Sequence, residues 1–155
     1  MLKISSRSSL RKSSARIAII TSAYNAKYVD GMLDAALLTL TNAGIEEVEL
    51  VRVPGAFEIP VVTAKIAKRK RHRPGVIICL GVVLRGKTTH ADHIGLTVSH
   101  LLGQIAVKTG VPVIHEVLLL ENEAQAKTRC LSKGTNRGNE AAHAALSMAE
   151  LFPKI

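Results

Sequence analysis

Strand-like and helix-like patterns alternate four times along this chain, and few folds accommodate that order. Arg16-Ile17-Ala18-Ile19-Ile20 is a short apolar strand, stopped by Thr21-Ser22. Residues 28–43 place Val29, Met32, Leu33, Ala36, Leu37 and Leu40 at helical spacing, and Gly44 closes that helix. Residues 48–53 alternate apolar with polar, as a half-buried strand does. Pro54-Gly55 breaks it, and residues 57–70 return to a helical period. Val76-Ile77-Ile78-Cys79-Leu80 has no polar member and reads as a buried strand. A helix over 90–108, a strand over 113–120, a short helix over 122–131 and an Ala-rich helix over 139–151 complete the pattern. Parallel neighbours need crossover connections, which helices supply. The expected architecture is therefore a three-layer α/β/α sandwich around a four-stranded parallel sheet.

A chain of 155 residues suits one domain with a single core, and 47% apolar residues exclude disorder as the default. Residues 1–15, rich in Ser, Lys and Arg, read as a basic arm ahead of a single domain over 16–155. That arm also has the look of an organellar transit peptide. No apolar run approaches the roughly 20 residues of a membrane span, so no membrane partner is expected. The two cysteines, Cys79 and Cys130, form no CxxC pair and read as reduced thiols, which points to the cytoplasm, or to an organelle if the arm is a transit peptide. The net charge of +9 invites a nucleic-acid partner. The cations, however, crowd the arm and residues 65–73, a predicted helix end whose dipole they complement. Only Tyr24, Tyr28, Phe57 and Phe152 are aromatic, and they form no base-stacking pattern, so nucleic acid is not expected.

In open parallel sheets, ligands bind beyond the carboxyl ends of the strands. That rule selects residues 21–25, 54–58, 85–90 and 120–122. They hold Tyr24, Phe57, Glu58, and a run of cations, hydroxyls and an imidazole from Arg85 to His90. Lys87-Thr88-Thr89 precedes a helix, where backbone N–H groups and the dipole favour an anion such as phosphate. It is no P-loop, since GxxxxGK[ST] is absent, and a capped helix with a solvated lysine is the plainer alternative. His90, at the same helix start, can take a proton as a base and return it as an acid. His90, Asp92 and His93 lack metal-ligand spacing, and no metal is expected. Neither a nucleophile elbow nor an activated cysteine is present. Arg129 reads as a surface charge, and Arg137 and Glu140 as an i,i+3 ion pair.

Taken together, VPGAFEIP (residues 53–60), GVVLRGKTTHADHI (81–94) and the run from Glu121 through TNRGNEAA (135–142) closely resemble the 6,7-dimethyl-8-ribityllumazine synthase family. The resemblance spans roughly residues 16–151, with the motifs in the family's order and spacing. It implies a flavodoxin-like fold and condensation of 5-amino-6-(ribitylamino)uracil with 3,4-dihydroxy-2-butanone 4-phosphate, without cofactor. By resemblance, Tyr24 stacks on the pyrimidine with Asn25 beside it. Ala56, Phe57 and Glu58 hold the ribityl chain, and Val83 and Leu84 offer backbone contacts to the pyrimidine edge. Lys87, Thr88 and Arg129 bind phosphate, and His90 is the acid/base. Arg137 stands at a position usually held by lysine beside the ring, with Glu140 at the acidic position nearby.

The resemblance also implies a homopentamer, sometimes built into a 60-subunit shell, with Arg129, Arg137 and His115 supplied by the neighbour of the subunit giving His90. The partners expected are small-molecule substrates, further copies of the chain, and riboflavin synthase. The chain departs from the family at His115, where phenylalanine is usual, and at Ala91 and His93, which replace frequent aromatics. Lys87 and Leu119-Leu120 differ as well, and His93 is left without a role. Two rivals stand beside the enzyme: a flavin- or lumazine-binding protein using Tyr24 and Phe57, and a basic RNA-binding module.

Overall fold

Ile17 and Ile19 face one way from the first strand, Ala18 and Ile20 the other, and all four are buried. A strand with that property needs a covering layer on each side. The computed structural model, which describes residues 15–155, supplies both layers; the expected arm lies outside the described residues except for Ala15. The elements are β1 (Ile17–Ser22), α1 (Ala26–Asn42), β2 (Val48–Val53), α2 (Ile59–Ala67), β3 (Val76–Leu84), α3 (His90–Thr109), β4 (Val113–Leu120), α4 (Glu123–Cys130) and α5 (Arg137–Leu151). Short 3-10 turns occupy Ala56–Glu58 and Phe152–Lys154. The sheet runs β2-β1-β3-β4 with every pair parallel. Helices α1, α4 and α5 bury Met32, Ala126 and Ala142 against one face, and α2 and α3 bury Ile59 and Leu102 against the other. The expected sandwich is present.

Boundaries moved where pairing or capping overrode local pattern. β1 continues through Thr21 and Ser22 because they stay in register with Arg52 and Val53. β3 continues to Leu84 because β4 pairs with it as far as Leu120. The second helix divides: Ala56–Glu58 forms a 3-10 turn, and α2 starts afresh with Pro60 in its first turn, a place where proline's fixed φ suits the helix. α5 begins at Arg137, two residues earlier than the pattern suggests, because the Asn136 side chain accepts the Gly138 N–H at 2.8 Å.

Asn136 also donates to the carbonyls of Gly31 (3.1 Å) and Cys130 (2.7 Å), so one side chain fastens the start of α5 to α1 and the end of α4. Gly138 then lies against α1 so closely that a β-carbon there would run into the Met32 carbonyl. This close crossing, continued by Ala141, Ala142 and Ala145, is what the small residues of the last helix are for. Among the described residues no helix is long and apolar enough to cross a membrane.

Candidate active site

Between β1 and β3 the connections turn from one side of the sheet to the other, and the strand ends part there to leave a crevice. Backbone bonds knit its loops together: Ala23 N–H donates to Val53 O at 2.7 Å, and Tyr24 N–H to Pro54 O at 3.0 Å. Asn25 takes the left-handed conformation (φ 56°), which asparagine tolerates better than most residues, and its Nδ2 donates to Val82 O at 2.8 Å. The result is an open cavity of about 810 Å³. Tyr24 and Asn25 line one wall, Ala56, Phe57 and Glu58 another, and Val83 and Leu84 the floor between them. Tyr24 is 73% exposed and Phe57 56%, so two aromatic faces at the cavity lie open to a flat, partly apolar ligand.

The remaining wall is the start of α3. His90, its first residue, lines the cavity with Thr88. Thr89 makes no capping bond, and the Thr88 hydroxyl accepts the His90 N–H at a long 3.4 Å. The helix start therefore remains a weakly satisfied, electropositive end beside the cavity. Lys87 lies exposed next to it and is not among the lining side chains. Arg85 turns away: its Nη1 binds Asp92 at 2.7 Å and its Nε binds Glu121 at 2.8 Å, and these carboxylates raise its pKa. His93, left without a role by the resemblance, lines the cavity one turn beyond His90, with its Nε2 3.4 Å from the Thr89 hydroxyl. The i,i+3 spacing of the two imidazoles was the available signal.

Three expected residues lie elsewhere on the chain. Arg129 lines a second, separate hollow with Leu120, Asn122, Gln125 and Thr128, and it has no ion pair among the described residues. Arg137 grips Glu116 through Nε (2.9 Å) and Nη2 (3.0 Å), and reaches Glu140 through Nη1 (2.5 Å). Burial pushes the Glu116 carboxyl above its ordinary range despite the contrary pull of Arg137.

His115 accepts the Val117 N–H on Nδ1 at 3.1 Å, which leaves a proton on Nε2 to donate to Ser99 Oγ at 2.6 Å. The bond to Nδ1 requires the neutral ring, and burial lowers the pKa of His115 from 6.5. A depressed folded-state pKa adds stability that is present above the unfolded value and lost as pH falls through the folded one. Denaturant midpoints taken at pH 8 and pH 5 should therefore fall further in the parent than in His115→Phe. An equal fall in both would refute a titrating His115.

The family model for 6,7-dimethyl-8-ribityllumazine synthase matches residues 14–153. The chain belongs to that family. Similar proteins named 6,7-dimethyl-8-ribityllumazine synthase include one from Streptomyces coelicolor, 43% identical over 142 residues (90% of this chain and 86% of that protein). Others come from Xanthomonas euvesicatoria, 39% identical over 145 residues (92% and 93%), and Pyrococcus furiosus, 39% over 140 residues (90% and 87%). Of the residues that the lumazine synthase resemblance assigns, Tyr24, Asn25, Ala56, Phe57, Glu58, Val83, Leu84, Thr88 and His90 share one cavity. Lys87 flanks it, and His115, Arg129 and Arg137 do not line it. No group of three His, Cys, Asp or Glu that could hold a metal occurs among the described residues.

Proposed function

We propose that the chain condenses 5-amino-6-(ribitylamino)uracil with 3,4-dihydroxy-2-butanone 4-phosphate to 6,7-dimethyl-8-ribityllumazine, phosphate and water, the penultimate step of riboflavin biosynthesis, at a site divided between two copies. One observation carries the division: the cavity that gathers His90, Tyr24 and Phe57 lacks Arg129, Arg137 and His115, which lie apart on the same chain. A head-to-tail ring brings one copy's arginines to the next copy's cavity.

In this reading the pyrimidine lies on Tyr24 against the Val83–Leu84 backbone, with Asn25 beside it. The ribityl hydroxyls meet Glu58 and the 56–57 segment. The phosphate lies at the uncapped start of α3, held by Lys87, Thr88 and the neighbour's Arg129. The substrate amine attacks the ketone, a first water leaves to give an imine, phosphate departs, and the ribitylamino nitrogen closes the ring on the remaining carbonyl with loss of a second water. His90 carries protons between these steps. Fixed cations stabilise the phosphate as it leaves, and joint binding removes much of the entropic cost of bringing two reactants together.

The ring is a pentamer, with a 60-subunit shell as its higher assembly and riboflavin synthase as an associated enzyme. Two buried, unpaired cysteines fit a reducing cytoplasm.

Complementation tests the division. His90→Ala and Arg129→Ala are each expected to make lumazine slowly, whereas the two co-expressed should restore about one intact site in four in a randomly mixed ring. Failure of the mixture to exceed its components overturns the shared site. A parent protein that makes no lumazine above the spontaneous rate overturns the reaction.

A further inference from the structure

Glu116 is a carboxylate with a side chain only 9% exposed, on a strand whose neighbouring side chains on the same face, Ile114 and Leu118, pack into the core beneath α1 and α5. A buried carboxylate is costly unless it is paired and hydrogen-bonded, and Glu116 is both. What it does here is specific. Its two oxygens take the Nε and Nη2 edge of Arg137 at 2.9 and 3.0 Å, the fork-to-carboxylate fit that fixes the plane of a guanidinium as well as its position. Glu140 takes one Nη1 proton. A guanidinium has five N–H donors, so one remains on Nη1 and one on Nη2, on a side chain still 34% exposed. The adjacent Cys130 thiol is pushed up to about 11 by burial and by Glu116, so it stays neutral and adds no competing charge.

We propose that Glu116 is a positioning residue for the condensation: it locks the plane of Arg137 so that its two remaining N–H groups are presented, already oriented, to the pyrimidine in the neighbouring copy's cavity. This rests on the placement of Arg137 beside the ring given above. Two carboxylates also neutralise the guanidinium, so Arg137 acts as a directional donor and not as a second claimant for the phosphate. A flexible, unpartnered cation at this place would draw the phosphate of the other substrate; a clamped one reads the pyrimidine.

The test is steady-state kinetics on the full-length oligomer, varying each substrate in turn. Glu116→Gln keeps the volume and one acceptor but loses the charge and the double acceptor. Its KM for the pyrimidine should rise about tenfold, with kcat and the KM for the phosphate substrate within about twofold of the parent. In an Arg137→Ala background, Glu116→Gln should add nothing, because its effect passes through Arg137. Arg137→Lys, which keeps the charge and the intact Glu116 but loses the fork, should reproduce the rise, and it decides the matter if Glu116→Gln does not fold. An unchanged pyrimidine KM in Glu116→Gln or Arg137→Lys, or an additive effect in the double variant, overturns the proposal. If the parent is active and Arg137→Ala leaves the pyrimidine KM unchanged, the placement of Arg137 itself falls, a result distinct from failure of the clamp.

Discussion

Gly138→Ala is expected to cost more than about 4 kcal/mol, enough to unfold a typical domain whose whole stability is about 5–15 kcal/mol. The added methyl would meet the Met32 carbonyl and the backbone behind it, not a side chain able to swing aside. Nor can α5 retreat. Its first turn is held by the Asn136 cap on Gly138 N–H, and Asn136 is itself bonded to the carbonyls of Gly31 and Cys130. Gly31 is as tight against the end of α4, where a β-carbon would lie 2.6 Å from Cys130 O. Gly103 in α3 is the control: a β-carbon there meets nothing, so alanine should gain about 0.5–1 kcal/mol by helix preference alone. Urea unfolding of the three proteins measures both effects. A Gly138→Ala midpoint equal to the parent's would show that the helices separate freely, contrary to the packing described.

The second large effect is in catalysis and leaves the fold untouched. Arg129 is exposed and has no ion pair among the described residues, so Arg129→Ala should unfold like the parent. If its guanidinium completes the phosphate site of the next copy, its loss removes charge-assisted hydrogen bonds worth about 2–3 kcal/mol, a rise in KM for the phosphate substrate of roughly 30–150-fold. The KM for the pyrimidine should move little. Arg129→Lys should recover part of the loss, since charge remains and the fork does not. Substrate saturation curves separate these outcomes. An unaltered KM for the phosphate substrate would take Arg129 out of the site.

How much of this could be read beforehand depended on sequence distance. The Val76–Leu80 run announced a strand covered on both faces, and alternate residues of β1 and β3 do divide between the two cores. The loops holding Tyr24, Phe57 and His90 followed from the rule that ligands gather at carboxyl ends of strands, and these do meet. The Arg137–Glu140 pair was visible as an i,i+3 spacing. Its stronger partner was not: Glu116 is 21 residues away on a strand, and only the register of β4 beside β3 and the early start of α5 bring the two together. The partners of Arg85 were hidden in the same way. In the sequence it is only one member of a run of cations, hydroxyls and an imidazole; Asp92 and Glu121, 7 and 36 residues along, hold it. The start of α5 was misplaced because a cap is a matter of one side chain's reach, which periodicity does not encode.

The His115 ring has one further consequence, for the chain's solubility. β4 is an outermost strand, and on its open side the amide of Val117 is already engaged by His115 Nδ1. A foreign strand arriving at that border finds its ladder interrupted at the centre, where an unprotected edge would invite unlimited sheet extension. The guard is an imidazole, so acid removes it: the protonated ring can no longer accept, and the amide is released. The protection against intermolecular pairing is thus weakest in acid, where the domain is also losing stability through the same ring.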